Sequence, residues 1–477
     1  MRAEDEKEVC RAAGLYRGRA FRLIAAALAA TCAGFLMPPA GMGATKNLRE
    51  RPNILFILSD NFRWDCMGFM DHPFIRTPGL DRLAEEGVVF SNAFNTTSLC
   101  SPSRASILTG TYAHTHGVLN NHTPWTGQKP TFLELLKRAG YETAFIGKWH
   151  MPGKGLPDMP YLDLFVSYTY REGQGRYFHC PLIVNGRPEP SKKAYITEEM
   201  TRRAIEFMEE SLSKAGDARK PFCIYLSHRT AHPPFRAPED ITGMYANEKV
   251  FLPESVDAWF SRTNGNVFQG IMMGSYPDQY RKYCEVITAM DRDIETLLKK
   301  MDELGLAGNT IVVFTADNGM MWGEHRRHGI KYPYEECIRI PLIVRCPWLA
   351  RDLGGRRSQM VLNIDFAPTL LDVAGVAVPS EMEGKSLVPT LKDEGAPGRK
   401  AWLLEYWKYY PENFPSYRGV RTDTHKYVEY AKTLQPELFD LGRDPGEENN
   451  LYGQPGGERL LPELKGLLEA LEAGREL

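Results

Sequence analysis

The chain has 477 residues, 43% of them hydrophobic, 25% charged and 11% aromatic, with 33 prolines spread along it, which excludes coiled coil, collagen and wholesale disorder. With 58 Lys and Arg against 60 Asp and Glu the net charge is −2, so no global basic field argues for a nucleic-acid partner. Nine cysteines with no C-x-x-C pair exclude a disulfide scaffold and argue against structural zinc.

The first predicted element is an export signal over residues 1–44. Arg17, Arg19 and Arg22 precede the Ala-rich stretch Leu23–Leu36, which Pro38-Pro39 breaks before the small residues Gly41–Ala44. The protein reads as exported, periplasmic or extracellular. Cys32 fits a lipoprotein box loosely, its leucine lying one position too early. A single membrane anchor is the alternative reading, and the proline pair cuts the run short for it. No later run is long enough to span a bilayer, so no membrane span is expected in the mature chain. Losing the leader removes Cys10 and Cys32 and leaves seven cysteines, an odd number, so a monomer keeps at least one unpaired.

From Arg51 to about Val376 short apolar runs alternate with helical patterns. This predicts an α/β domain over 45–376, a large mostly parallel sheet sandwiched by helices. Segment 377–400, rich in Pro, Gly and charge, reads as a connector. Ala401–Trp407, Arg418–Arg421, Lys426–Tyr430 and Glu437–Asp440 then predict a smaller antiparallel sheet within 401–477, closed by a Leu/Glu-patterned helix near 458–475.

Five apolar runs of the large part end in reactive residues. Ile54–Leu58 leads to Ser59-Asp60-Asn61, Thr143–Ile146 to Gly147-Lys148-Trp149-His150, and Phe222–Leu226 to Ser227-His228 with His232 beyond. Ile311–Phe314 leads to Asp317-Asn318-Gly319, and Val88–Phe94 leads through Asn95 to Cys100. Ligands of open α/β sheets bind outside the carboxyl ends of strands, so these endings are expected to face one crevice. Asp60, Asn61, Asp317 and Asn318 make a hard oxygen set that suits Ca²⁺, with Mg²⁺ the alternative.

The segment Cys100-Ser-Pro-Ser-Arg-Ala-Ser-Ile-Leu-Thr-Gly110 predicts a helix with Pro102 in the first helical position, Ser101 or Cys100 as cap and Gly110 as stop. Cys100 then lies at a helix N-terminus that favours anions. A thiolate, however, is a poor partner for an all-oxygen cation site.

This segment resembles the signature of the sulfatase family, C-x-P-S-R followed by a Thr-Gly ending. Gly147-Lys148-Trp149-His150, Asp317-Asn318-Gly319 and the C-terminal Glu437-Leu-Phe-Asp-Leu run extend the resemblance over nearly the whole mature chain. The resemblance implies that a formylglycine-generating maturation system oxidises Cys100 to formylglycine, whose hydrate supplies an oxygen as both metal ligand and nucleophile. It further implies Asp60, Asn61, Asp317 and Asn318 as calcium ligands beside Cys100, Arg104 as the residue steadying the hydrate, and Lys148 and Lys331 as sulfate binders. His150 would be the base and His232 the acid that protonates the leaving alcohol. The implied activity is hydrolysis of sulfate monoesters on a sulfated saccharide, in the manner of bacterial N-acetylglucosamine-6-sulfatases.

Two departures stand out. The family usually carries two aspartates after the first strand, where this chain has Asp60-Asn61. Its lysine commonly lies four residues before the aromatic of a Tyr-Glu pair, whereas Lys331 lies three before Tyr334. A phosphodiester or phosphonate monoester hydrolase on the same scaffold, and an inactive glycan-binding homologue, stay open as alternatives. Other features read as bland: Gly384-Lys385-Ser386 lacks the first glycine of a P-loop, His325 and His328 suit a polar loop, and Asn95 and Asn121 head glycosylation sequons. His114 and His116 fit either substrate contact or packing. The aromatic stretch Trp402–Tyr417 fits either packing of the small sheet or a sugar-stacking wall.

Overall fold

Runs such as Ile54–Leu58 and Ile311–Phe314 have no polar alternation because strands in the middle of a sheet covered on both faces have no solvent side. In the computed structural model both are central strands of a ten-stranded sheet. In chain order the strands are β1 (Asn53–Ser59), β2 (Val88–Phe94), β3 (Glu142–Gly147), β4 (Leu164–Ser167), β5 (Leu182–Val184), β6 (Arg187–Glu189), β7 (Phe222–Ser227) and β8 (Thr310–Ala316). After a separate hairpin, β9 (Met321–Trp322) and β10 (His328–Gly329), come β11 (Leu342–Arg345) and β12 (Gly355–Leu362). The spatial order is β12-β2-β11-β8-β1-β7-β3-β4-β5-β6. Pairings β8–β1–β7–β3–β4 and β12–β2 are parallel, while β11, β5 and β6 run antiparallel to their neighbours. All five reactive-ending runs are strands of this one sheet.

Register then decides what meets. Leu58 pairs with Ser227 and Thr315, and Gly147 pairs with Ser227, so β1, β3, β7 and β8 end level with one another. The residues just past these ends, Asp60, Lys148, His228 and Asp317, therefore emerge along one edge of the sheet. Helices Pro78–Glu85, Ile196–Ser213 and Tyr276–Glu303 pack among themselves, as do Cys100–Thr109, Phe132–Arg138 and Phe366–Val373.

The structure describes residues 51–152, 155–169, 173, 176–214, 219–250, 275–349, 354–409, 414–431 and 434–474. The leader expected over 1–44, with Cys10 and Cys32, and Tyr410 of the aromatic stretch lie outside them. Among the described residues no helix is long and apolar enough to cross a membrane. The seven cysteines there are all buried and all free thiols.

The second sheet is antiparallel in chain order: β13 (Ala401–Tyr406), β14 (Tyr417–Thr422), β15 (His425–Tyr430) and β16 (Glu437–Asp440). Its pleat sorts the side chains. Trp402, Leu404, Tyr406, Tyr417 and Val428 pack on Phe94, Leu99, Tyr332 and Tyr334, while Leu403, Val420, Tyr427 and Leu438 face Leu464 and Leu468 of the helix Pro455–Glu472. Most of the aromatic stretch is thus packing between the two sheets. Trp407 and Tyr409 stay half-buried at its rim, with Tyr409 against the His122 ring at 4.8 Å.

A buried ion cluster pins this sheet. Lys426 Nζ donates to the Pro333 carbonyl at 2.6 Å, pairs with Glu447 and lies 3.4 Å from Glu335, which Arg421 approaches at 3.3 Å. Burial pushes Glu447 up to about 7, whereas Arg421 and Lys426 overcome the burial of Glu335 and hold it below the usual carboxylate range. Removing one partner of a buried pair strands the other. Lys426→Met is therefore expected to cost roughly 3–5 kcal/mol in denaturant unfolding, with part of the loss recovered by adding Glu447→Gln.

Candidate active site

The helix Cys100–Thr109 has no exposed face: all ten residues are buried, polar ones included. Such a helix survives only if each polar group finds a partner. Ser101 Oγ donates to the His150 carbonyl at 2.7 Å, Ser103 Oγ to the Asp317 carbonyl at 2.6 Å, and Ser106 Oγ meets His116 Nε2 at 3.1 Å. The helix starts earlier than Pro102, with Leu99 as its cap and no capping side chain. Ser101 is drawn off to His150, and the orphaned N–H of Ser101 is satisfied instead by Asn121 Oδ1 at 2.9 Å. Gly110 ends the helix at φ 67°, as expected.

Two neighbouring turns need glycine. A Cβ on Gly147 (φ 117°) would lie 1.9 Å from the Ser227 carbonyl oxygen, and one on Gly319 would lie 2.0 Å from that of Glu336. These close approaches let Lys148 and Asn318 leave their strands toward the same point. Asn61 and His150 also take left-handed backbone, at φ 56° and 60°.

The point they reach is Cys100. Its Sγ lies 3.7 Å from both Asp60 Oδ1 and Asn61 Oδ1, and one ligand atom each from Asp60, Cys100 and Asp317 fall within 4.8 Å of one another. Asp317 Oδ1 accepts the Asn61 and Asn318 backbone N–H groups at 3.1 and 2.8 Å. Asn318 Nδ2 donates to Asn61 Oδ1 at 2.7 Å, leaving Asn318 Oδ1 buried without a hydrogen bond. Lys148 Nζ pairs with Asp60 Oδ2. Arg104 donates Nε to Asp317 Oδ2 at 2.9 Å and Nη1 to the Lys148 carbonyl and Ser227 Oγ at 3.0 and 2.7 Å. Arg104 is thus a brace between three strand ends.

Charge follows from burial. Asp60 is fully buried, yet Lys148, His232 and Arg104 outweigh that burial and hold its carboxyl far below the usual range. Burial and the neighbouring Asp60 charge push Asp317 up to about 6. Burial drives the Cys100 thiol well above its ordinary value, and Asp317 and Asp60 reinforce it, so the group is a neutral thiol. Two carboxylates and two amides, the oxygen of Asn318 buried without a hydrogen bond, fit a hard cation. A neutral thiol among them does not, and an oxygen group at that position does.

His150 and His232 both neighbour Asp60 electrostatically, and burial lowers both, His232 to about 3. His232 Nδ1 lies 2.6 Å from the Pro233 carbonyl oxygen. Lys331 is half-buried, and burial lowers it, with Cys337 and Arg327 as the ionisable groups acting on it, while Lys148 and Arg104 act on Asp60 and Cys100. His228 is buried with neither ring nitrogen hydrogen-bonded, and burial lowers it to about 3.

Other expectations resolve simply. His116 is core packing, and His114 Nδ1 pairs with Glu405 Oε2 at 2.8 Å on the side of a cavity of about 520 Å³ that no cluster residue lines. His325 stacks on Tyr334 at 3.8 Å. Asn95 is fully buried and donates to the Cys337 carbonyl at 2.9 Å, so its sequon is not a surface acceptor. Asn121 and Asn363 escaped the sequence reading as site residues. Asn363 Nδ2 donates to Ser103 Oγ at 2.9 Å, a contact across 260 residues that no local pattern announces.

Comparison with known proteins agrees with this geometry. The family model described as Sulfatase matches residues 52–376, and one described as N-sulphoglucosamine sulphohydrolase, C-terminal, matches 323–474. An N-acetylglucosamine-6-O-sulfatase of Bacteroides thetaiotaomicron is 31% identical over 89% of this chain and 87% of its own. An ulvan-active sulfatase of Formosa agariphila is 32% identical, over 87% of this chain and 80% of its own. Among solved structures, one in complex with its substrate D-glucosamine-2-N,6-O-disulfate superposes with a TM-score of 0.80 at 30% identity, covering 89% of this chain and 98% of that one. The chain belongs to the sulfatase family and is a sulfuric ester hydrolase.

Proposed function

We propose that the enzyme removes sulfate from a sulfated carbohydrate, an aminosugar 6-O-sulfate in the first instance, and that it acts outside the cytoplasm. The observation that carries the chemistry is the convergence of Asp60, Asn61, Asp317, Asn318, Lys148 and Arg104 on Cys100. The substrate class rests on the Bacteroides relative and on the disulfated glucosamine bound in the similar structure. Export rests on the leader pattern of residues 1–44.

Asp60, Asn61, Asp317 and Asn318 would hold Ca²⁺, or Mg²⁺, which when bound supplies positive charge opposite the sulfate oxygens. Cys100, converted to formylglycine, would supply the oxygen nucleophile that a neutral buried thiol cannot. The remaining work falls to the chain's own side chains. Lys148 offers an ammonium donor to a sulfate oxygen, and Arg104 holds Asp317 and the Lys148 backbone in place. His232, once protonated with the anionic substrate in place, gives that proton to the leaving alcohol, and His150, neutral by burial, accepts one on the opposite side of the reaction. Lys148 is the lysine on which this reading relies for sulfate contact. Because Cys100 and its helix are buried, the maturation system must act on the chain before this helix docks.

Peptide mass spectrometry of protein made with a maturation system is expected to find aldehyde or its hydrate in the peptide carrying Ser101-Pro102-Ser103-Arg104. Full sulfatase activity with free thiol alone there would overturn the mechanism.

Asn61→Asp restores a second carboxylate and is expected to tighten divalent-cation binding in calorimetry on stripped protein, since ligand charge tunes such sites. Unchanged or weaker affinity would remove Asn61 from the ligand set.

His232→Ala is expected to lose about 10²–10⁴-fold on a sugar sulfate, whose alkoxide leaves poorly, and far less on an activated aryl sulfate. Equal losses on both, with chemistry rate-limiting, would move the acid role elsewhere. Paired sulfate and phosphate esters of one leaving group test the phosphohydrolase alternative, which a phosphate preference would favour.

A further inference from the structure

Behind His232 lies a buried cation, Arg229. Arg229 is 1% exposed, and among the described residues no carboxylate pairs with it. Its Nη2 donates to the Pro233 carbonyl at 2.8 Å, and its guanidinium carbon sits 4.4 Å above the Tyr177 ring centre. Its Nε and Nη1 are buried without hydrogen bonds. A buried guanidinium so poorly compensated is costly, and a neutral residue would fill the space more cheaply. What the planar fork does there is geometric.

The Pro233 carbonyl that Arg229 holds is the one His232 Nδ1 faces at 2.6 Å. Arg229 Nη2, a donor, also lies 3.4 Å from Nδ1, but the carbonyl oxygen, which only accepts, is much the nearer, so Nδ1 carries its hydrogen toward it and Nε2 is the nitrogen through which the ring gives or takes a proton. Tyr177, on which Arg229 stacks, donates its hydroxyl to the His232 carbonyl at 2.8 Å, and His232 N–H donates to the Arg229 carbonyl at 3.0 Å. Backbone and ring of His232 are therefore held from both sides by one stacked pair.

We propose that Arg229 and Tyr177 are positioning residues for His232: they hold Nδ1–H on the Pro233 carbonyl and leave Nε2 aimed at the leaving oxygen, so that a proton taken up from water at Nε2 as the anionic substrate binds passes to that oxygen when the sulfur–oxygen bond breaks. This rests on the acid role proposed for His232. Neither residue touches substrate in this scheme, so a loss should follow how much the leaving group needs its proton, not how well substrate binds.

The test compares kcat and KM of Arg229→Met, Tyr177→Phe and His232→Ala on N-acetylglucosamine-6-sulfate and on 4-nitrophenyl sulfate, all as converted enzyme. Misaiming a catalytic group costs about 10²-fold, so kcat on the sugar sulfate is expected to fall by about that factor with KM nearly unchanged. The aryl sulfate, whose anion leaves unaided, is expected to lose little. Tyr177→Phe keeps the ring under Arg229 and guards against a variant that fails through packing. If His232→Ala loses activity selectively on the sugar sulfate while Arg229→Met and Tyr177→Phe lose equally on both substrates, or not at all, the positioning role is overturned alone. If His232→Ala itself loses equally on both, the acid assignment and the proposal built on it fall together.

Discussion

Two carboxylates that water does not reach set the terms for the rest of the molecule. Asp60 and Asp317 are both fully buried, with ligand oxygens within 4.8 Å of one another. At that separation two like charges repel by roughly 3–4 kcal/mol at an effective dielectric of about 20, before any desolvation is counted. Register of β1 and β8 forces the meeting, and Lys148 and Arg104 relieve part of it. Every further device serves to hold these four groups still. Ser227 ties Arg104 to the end of β7, Ser103 ties the signature helix to the Asp317 backbone, and glycines 147 and 319 allow the turns to pass close to other strands.

The signature helix then has two jobs in one sequence. Its serines and arginine are the bonds by which a wholly buried helix is satisfied, and Cys100 is the group it delivers to the carboxylate pair. A thiol held neutral by burial is chemically out of place there. The proposed conversion of that residue to an oxygen-bearing group would resolve the mismatch.

Much of this was legible beforehand because it is local. Apolar runs ending in Asp60, Lys148, Ser227 and Asp317 carry their own strand and turn chemistry, and β2 and β16 fall on the predicted residues. The start of the signature helix was misjudged because Ser101 is drawn away from its capping role by His150, a residue 49 positions off. Asn121 and Asn363 were invisible for the same reason, as was the Arg229–Tyr177 stack behind His232. Lys331 keeps the family's residue type one position off its usual spacing, a departure visible in the sequence itself. The aromatic run from Trp402 fits packing or a sugar wall on composition alone and is mostly the seam between two sheets, a distinction that burial makes and composition does not.

If the buried carboxylate pair is built around a divalent cation, the cation must stabilise the fold by mass action, since it binds the native cluster and not the open chain. Thermal unfolding of chelator-stripped enzyme, titrated with Ca²⁺ and repeated for Asp317→Asn, tests this directly. The account predicts a concentration-dependent rise in Tm that the variant largely loses. No rise at any Ca²⁺ or Mg²⁺ concentration, or an equal rise in Asp317→Asn, would contradict it.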